Sequence, residues 1–405
     1  MQKIYERCCG VDVHKRTIVA CFRKGNQQEM RQFGATTGVL RELAKWPLEG
    51  GCEKVAMEST GAYWKPVYNV LEVLGVEAIV VNAQHMKAVP GRKTDTKDAQ
   101  WIAELLQHGL LRASFVPDKE QRELREVSRY RKGLIEERSR EVNRLEKTLE
   151  GANIKLSSFV SNIVGKSSRR LIDSAISGTV SQDNILDMLH GHMHAKKDEL
   201  LKAMEGVMTV VQKKLIQAIL DHIDDMTRRI SDMDDILTDE MRKYDDAIAA
   251  LDEIPGIGRQ SAQTILAEIG LDMRRFPTAS HLASWAGLSP GNNESAGKRK
   301  SGRTCKGNQT LKVTLIQSAK AAVRHKDCFF RAQYDRLAVR RGRNRATVAV
   351  AHSMLRAIFH MLKNNQPYQD LGSDYYTKFN TEKKINAYLK KLSDLGWQPP
   401  AAATA

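Results

Sequence analysis

Apolar residues follow two different periods along this chain of 405 residues. Between residues 7 and 111, short apolar runs typical of strands alternate with stretches in which apolar residues recur every three or four positions, as in amphipathic helices. Strands are predicted in "RCCGVDVH", "TIVACFRK", "RQFGATT", "CEKVAMES" and "VEAIVVNA", and helices in "TGVLRELAKW", "YWKPVYNVLEVLG" and "DTKDAQWIAELLQHGLL". Their order, β-β-β-α-β-α-β-α, predicts an α/β domain in residues 1–115, built as a mixed sheet that helices flank.

Strand patterns are absent from residues 116–250, which we predict to be a helical region. A charged helix fills residues 121–150, and a strict heptad seam follows downstream, made of Ile216, Ile219, Ile223, Met226, Ile230, Met233 and Leu237. This seam has two interpretations: an intramolecular hairpin with the 121–150 helix, or a coiled coil that joins copies of the chain. Between the two helices, residues 151–210 contain shorter helical pieces, broken at Gly165, Gly178, Gly191 and Gly206.

Residues 251–365 again have a helical pattern, whereas the tail, 366–405, is polar and predicted to be partly disordered. The segment "EIPGIGRQSAQTILAEIG" is predicted to form a helix-hairpin-helix. Its turn around Gly256 and Gly258 would expose backbone amides that can hold a phosphate oxygen without reading sequence. The alternative is that these glycines only allow a tight turn between two helices.

The charge of the chain is concentrated in one segment. Lys and Arg outnumber Asp and Glu by 64 to 48, and residues 298–345 contain fifteen of the basic residues but only two acids. Such a basic patch indicates a polyanionic partner, and no zinc-finger or RNA-recognition consensus accompanies it. The candidate nucleic-acid contacts here are Lys298, Arg299, Lys300, Arg303 and Lys306.

Neither a membrane nor an oxidising compartment fits the sequence. No apolar run approaches the length of about 20 residues that spans a bilayer, and the N-terminus lacks the apolar core of a signal peptide. The six cysteines form no CxxC pair and are interpreted as reduced thiols. We therefore expect a cytoplasmic protein with no membrane partner.

Four carboxylates of the first domain stand at unusual places. Asp12 lies inside an otherwise apolar strand, Glu58 ends the strand "KVAMES", and Asp95 and Asp98 open a helix three residues apart. A buried carboxylate needs a compensating charge, and carboxylate oxygens are ligands that Mg²⁺ prefers. Together the four predict a site for two Mg²⁺ ions that serve phosphoryl transfer. Taken singly, these acids have simpler interpretations. Asp95 is then a helix-capping acid, and Asp12 lies on an exposed strand face.

A loop rich in small polar residues, "SPGNNESAGKRKSG", lies between apolar helices and among cations. Ser289, Ser295 and Ser301 are its candidate nucleophiles, and composition alone does not choose between them. No His lies beside Ser295, so a metal ion is the expected means of activating a hydroxyl there.

Three segments carry a family resemblance: "GVDVHK", "AMESTGAYWKPV" and "RKTDTKDAQWIAELL". They resemble the Asp, Glu, Asp-x-x-Asp signature of the RuvC-like, ribonuclease H-fold domain of DEDD-type insertion-sequence transposases, the bridge-RNA-guided serine recombinases. The block "LASWAGLSPGNNESAG", followed by "KGNQTLK", is similar to the mainly α-helical C-terminal transposase domain of that family. There the nucleophilic serine directly follows a Glu, a position that Ser295 occupies in this sequence.

The resemblance implies an activity and partners. Ser295 would attack DNA to form a phosphoserine link, and Asp12, Glu58, Asp95 and Asp98 would hold Mg²⁺. The partners would be donor and target DNA, a bridge RNA encoded by the mobile element, and further copies of the chain in dimers or a tetramer. Two alternatives stay open: a RuvC-like nuclease that cuts branched DNA with water as nucleophile, and a non-catalytic scaffold that binds nucleic acid.

Overall fold

The computed structural model describes residues 3–59, 61–82, 98–291, 293–295 and 298–397, with the side chains of 192, 293–295, 298–300, 377, 379–380 and 382–384 excepted. The chain forms two compact units, Met1–Lys119 and Glu120–Ala405. The finer predicted division of the second unit, at residues 250 and 365, stays a prediction.

The first unit contains a five-stranded mixed sheet. Its strands are β1 (Arg7–Val13), β2 (Thr17–Lys24), β3 (Gln27–Gly34), β4 (Lys54–Glu58) and β5 (Ala78–Val81). They lie in the order β3-β2-β1-β4-β5, with β1 antiparallel to β2 and parallel to β4. The five predicted strands and their order along the chain are thus confirmed, but β3 begins four residues before the predicted segment "RQFGATT" and ends three residues before that segment does. The topology is compatible with the ribonuclease H-like fold.

Helices cover both faces of this sheet. They are α1 (Thr37–Glu49), α2 (Trp64–Val73) and α3 (Asp98–Gln107). Residues of β1 alternate between the faces: Cys9, Val11 and Val13 join the core with α1 and α2. Cys8 belongs to the core on the opposite face, together with Ile102 of α3. Asp12 has the same parity as Cys8, so it lies on the α3 face.

The second unit is mainly helical. Its described α-helices are α4 (Lys119–Gly151), α5 (Lys166–Ser177), α6 (Ile185–Met188), α7 (Lys197–Ala203), α8 (Val210–Glu240), α9 (Asp245–Asp252), α10 (Arg259–Ile269), α11 (Ala279–Trp285), α12 (Gln309–Ala322), α13 (Phe329–Arg341), α14 (Arg343–Asn364) and α15 (Tyr375–Asp394). In the C-terminal part of this unit, α11, α12 and α13 all pack against α14.

The heptad seam of α8 is covered within the chain over its first half. Ile216, Ile219, Ile223 and Met226 are buried in one cluster with Leu145 of α4 and with the short helices of residues 151–210. This favours the intramolecular interpretation for these four positions, because apolar area already removed from water gains little from a second partner. A coiled coil between copies of the chain stays a prediction.

Two segments differ from the sequence-based expectation. The segment predicted to be a loop of small polar residues contains an antiparallel hairpin of β6 (Asn293–Ser295) and β7 (Lys298–Ser301). Backbone hydrogen bonds build this hairpin, so no alternation of apolar side chains announces it. The tail predicted to be partly disordered contains α15, whose Tyr375 and Tyr376 pack on Phe329 with ring centroids 5.2 and 5.6 Å apart. Among the described helices, none is long and apolar enough to cross a membrane.

Candidate functional site

Asp12 and Glu58 end up side by side because of the register of two parallel strands. The pairing of β1 with β4 aligns Val11 with Met57, so the next positions along both strands are Asp12 and Glu58. Side chains at equivalent register positions of parallel neighbours point to the same face. Both carboxylates are partly buried, on the α3 face, at the carboxyl edge of the sheet.

Asp98 is brought to this edge by the close approach of α3. A Cβ added at Gly10 would lie 2.3 Å from both Ala99 O and Ala103 N, so only glycine lets the helix sit on β1. The C-terminal end of α3 lies at the start of β1, where Ile4 N donates to Gln107 O at 2.8 Å. The helix therefore runs antiparallel to β1, and its first residue, Asp98, lies toward the Asp12 end.

His14 is a neighbour that the sequence patterns did not single out. Its Nε2 lies 3.0 Å from Asp12 Oδ2, while the Asp12 side chain retains 18% of its exposure. The signal was present in "DVH", since residues two apart on a strand share a face. The contact gives one Asp12 oxygen a polar partner and holds the carboxylate in one orientation.

The carboxylates are suitable metal ligands in kind, although the described residues do not form a complete cage. No group of three or more His, Cys, Asp or Glu close enough to hold an ion occurs within the described ranges. Asp95, the fourth predicted ligand, lies outside the described residues. Oxygen donors of this type suit Mg²⁺, which usually takes one or two carboxylates together with waters and phosphate oxygens.

The serine hairpin lies in the second unit. Ser295 pairs with Lys298 at the tip of the hairpin, and Glu294 pairs with Arg299. At the opposite end, Ser301 Oγ accepts a hydrogen bond from Arg303 N at 3.2 Å. The base is fixed by the backbone, because Cys305 N donates to Ser289 O at 3.1 Å. The hairpin thus separates the three candidate serines: Ser295 at the tip, and Ser289 and Ser301 at the base.

The five predicted cations lie within this hairpin and directly after it. Lys298, Arg299 and Lys300 belong to β7, while Arg303 and Lys306 are exposed on the segment that follows it. Within the hairpin, Arg299 has an acidic register partner, Glu294. A nucleic-acid backbone is the expected counter-charge for such a cluster.

Comparison with known proteins matches both units. Residues 9–154 match a transposase family model of the DEDD, IS110 type, and residues 248–335 match the transposase IS116/IS110/IS902 family. The transposase for insertion sequence element IS1111A of Coxiella burnetii is 25% identical over 335 residues, 80% of each chain. A probable family 20 transposase of Pseudomonas aeruginosa is 26% identical over 369 residues, 89% of this chain and 94% of its own.

Over both matched ranges the chain is similar to transposases of the IS110 family. These matches support a transposase of an insertion sequence, a DNA-processing enzyme that acts through phosphoryl transfer. The two matched ranges include every site residue that the sequence predicted.

Gly256 of the transposase has a packing role independent of DNA. A Cβ at this residue would lie 2.3 Å from Ser318 O, and φ is +85°. Gly258 is the N-cap of α10, and its carbonyl accepts from Ala262 N at 3.0 Å. The structure therefore explains Gly256 as the contact point with α12, whereas phosphate binding at both glycines stays a prediction.

A buried ion cluster of the transposase escaped the sequence patterns. Glu268 has no exposed surface, and Arg129 donates to both of its carboxylate oxygens, at 2.7 and 2.8 Å. Arg125 Nε lies 3.3 Å from Glu268 Oε2, and Asn308 Nδ2 donates to the same oxygen at 2.6 Å. Asn308 also caps α12 by accepting from Leu311 N. The cluster ties α4 and α10 to the segment that follows the serine hairpin.

Proposed function

We propose that this transposase moves its insertion sequence by a metal-assisted attack of Ser295 on DNA phosphodiesters, with strand exchange between donor and target DNA guided by a bridge RNA. One observation carries the proposal: strand register and the Gly10 contact bring Asp12, Glu58 and Asp98 to one edge of the sheet. Acids collected in this way oppose the binding of phosphate unless a cation accompanies them.

Asp12, Glu58, Asp95 and Asp98 are the residues proposed to hold Mg²⁺, in two ions. When bound, the metal supplies neutralising charge for the phosphate oxygens and lowers the cost of deprotonating a hydroxyl. The hydrogen bond from His14 keeps Asp12 oriented for this role.

Ser295 is proposed as the nucleophile because it directly follows Glu294, the position that the family resemblance gives to the serine, and its register partner at the end of the hairpin is Lys298. The Ser295 Oγ–P bond forms while a P–O bond of the DNA strand breaks, and the leaving oxygen takes up a proton as a hydroxyl. The phosphodiester bond energy is kept in the phosphoserine, so the reverse attack by another strand reseals the DNA without ATP. Arg299, Lys300 and Arg303 are proposed to neutralise the phosphate in the transition state.

Guidance by RNA is proposed because the chain has many cations and no base-reading motif. Base pairing would then choose the sequences, and the protein would bind backbones. Homo-oligomers are proposed so that the acids of one copy serve Ser295 of another. A mixture of the Asp12→Asn and Ser295→Ala variants would recover activity only if the two parts can come from different copies.

The test uses DNA that carries the ends of the encoding element, the RNA co-expressed with the protein, and Mg²⁺. We expect a covalent protein–DNA adduct on a denaturing gel for the wild type and for the Ser301→Ala control, and none for Ser295→Ala. Asp12→Asn and Glu58→Gln should also lose the adduct while still binding DNA.

The alternatives give different results. Cleavage that persists in Ser295→Ala and is lost in Asp12→Asn would identify a nuclease that uses water. If the wild type binds the DNA and neither cuts it nor forms an adduct, the chain is a binding scaffold and the proposal is wrong.

A further inference from the structure

A cleft of about 1080 Å³ lies in the second unit, beside the base of the serine hairpin. One wall is formed by residues 301–304, which follow β7, together with Leu288 and Pro290. The other is a single face of α14, on which Arg345, Val348, His352 and Arg356 follow one another at intervals of three or four residues. This volume is slightly above the range of about 300–1,000 Å³ that is usual for ligand sites.

The charge of the cleft has one sign. Its lining contains Arg303, Arg345 and Arg356, and no carboxylate among the described residues. Arg345 also lies in the first turn of α14, a helix of 22 residues whose N-terminal end favours anions. Three guanidinium groups around one opening suit the oxygens of a phosphodiester, which Arg binds in bidentate geometry.

A glutamine in the wall has a buried amide oxygen that accepts no hydrogen bond from the described residues. Gln333 lines the cleft, and its Nε2 donates to Ser353 Oγ at 2.8 Å. Its Oε1 is buried and has no hydrogen-bond partner among the described residues. If the amide is flipped, Oε1 takes the contact with Ser353 Oγ and Nε2 is the atom that has no partner among the described residues. A buried polar atom in this state is unfavourable, and a ligand with a matching polar edge would recover that cost.

The rest of the lining suits a flat, partly apolar ligand. Leu288, Val348 and Ala349 supply an apolar surface. His352 faces the same space, and burial together with the Arg356 guanidinium lowers its pKa below the ordinary value of 6.5. The imidazole is therefore neutral at pH 7, with one donor and one acceptor nitrogen.

The wall opposite α14 is held in place before any ligand arrives. Gly291 N donates to Arg303 O at 2.9 Å, and Lys312 Nζ donates to Thr304 Oγ1 at 2.7 Å. A prepared wall of this kind lowers the ordering cost of binding.

We propose that this cleft binds a nucleotide turned out of its base stack, with its phosphate on Arg303, Arg345 and Arg356 and its base edge on Gln333. The inference rests on the proposed function, since it takes the strand at the serine hairpin to be nucleic acid. Ser301 at the cleft and Ser295 at the tip are separated by three register positions, or about 10 Å at the rise of a strand. The bound nucleotide is therefore a near neighbour of the phosphate that Ser295 attacks.

The cost of unpairing is smallest for a base that has no partner, so a bulged duplex is the natural probe. The experiment uses the full chain without divalent metal, and a DNA duplex whose one-nucleotide bulge is 2-aminopurine. A fully paired duplex is the reference, and the same bulge in an RNA duplex forms the second arm. We expect the wild type to bind the bulged probe at least about tenfold more tightly than the paired one. Tighter binding of the DNA bulge assigns the nucleotide to the substrate, and tighter binding of the RNA bulge to the guide.

Two variants test the cleft itself. Arg345→Ala and Gln333→Leu should lose most of the preference for the bulge, whereas Arg340→Ala, on α13 outside the lining, should weaken both probes equally. Ser353→Ala is the folding control for Gln333→Leu, because it removes the same interhelical hydrogen bond and keeps the amide.

The inference is wrong if the wild type binds paired and bulged duplexes equally, or if Arg345→Ala and Arg340→Ala behave alike. That failure is separate from failure of the serine mechanism. A wild type that forms the Ser295 adduct without preferring the bulge refutes only the cleft, and one that prefers the bulge without forming an adduct refutes only the mechanism.

Discussion

Gly10 and Ala103 meet backbone to backbone: a Cβ on Gly10 would lie 2.3 Å from the amide nitrogen of Ala103. This contact determines how closely α3 lies on β1. Because Asp98 begins α3 and Asp12 belongs to β1, the contact also determines how near the two carboxylates come to each other.

Replacing Gly10 by Ala should therefore reduce activity and stability together. The methyl group must push α3 away from the sheet, and overpacking of this kind costs about 1–3 kcal/mol. We expect a lower melting temperature and a loss of transposition in cells larger than the loss of folded protein. Gly38→Ala is the matched control, since a Cβ there meets nothing within 4 Å. Wild-type activity in Gly10→Ala would show that the position of α3 does not control the site.

Much of this arrangement could be predicted from the sequence. The apolar pattern predicted the strands and a mixed sheet, whereas the place of β1 beside β4 comes from the structure. The adjacency of Asp12 and Glu58 then follows from strand register. The position of Asp98 does not follow in this way, because it depends on a close helix–strand contact that a lone glycine in an apolar run does not reveal.

The ion cluster around Glu268 should be among the more sensitive points of the second unit. Removing one partner of a buried pair leaves an uncompensated charge and costs about 3–5 kcal/mol. Here Glu268→Gln would leave Arg125 and Arg129 facing each other. We expect a marked fall in the denaturant midpoint, whereas Asp335→Asn, in the exposed pair with Arg331, should leave it unchanged. Equal midpoints for the two variants would contradict a stabilising role for the cluster.

Sequence reasoning had no means of finding this cluster, or the serine hairpin. Glu268 and Arg129 are 139 residues apart, so nothing in either helix identifies the other as its partner. The hairpin is a matter of backbone pairing between small and polar residues. The partners in the ion cluster are distant in sequence, and the hairpin is held together by backbone atoms. The period of apolar side chains therefore predicts neither of them.

The thiols of the first unit should be slow to react. Burial raises the pKa of Cys8 to about 12, and that of Cys21 and of Cys52 to about 11. The thiolate is the reactive form, so these residues stay inert at pH 8. Ellman's reagent should label Cys305, which is partly exposed, well before the others in the native protein. A fast phase that persists in Cys305→Ser would contradict this.

The same pKa shifts predict how stability depends on pH. The folded pKa values lie above the ordinary value of 9.0, so the folded state keeps protons that the unfolded chain loses. The stabilisation is complete below pH 9 and is lost as the pH rises toward 11 to 12. Urea unfolding followed by circular dichroism should show a falling midpoint over this range. Replacing Cys21 by Ala should make the fall less steep, and an unchanged slope would show that the thiols are not responsible.

The serine mechanism is tested most directly by locating the covalent bond between the protein and DNA. After reaction with DNA in Mg²⁺ and digestion by nuclease and trypsin, Ser295 lies in the peptide of residues 276–298, and Ser301 lies outside it. The serine mechanism predicts a nucleotide mass on this peptide, which fragmentation assigns to Ser295 and which is absent in Asp12→Asn. A nucleotide on another serine, or DNA cut by the wild type with no nucleotide on any peptide, would contradict it.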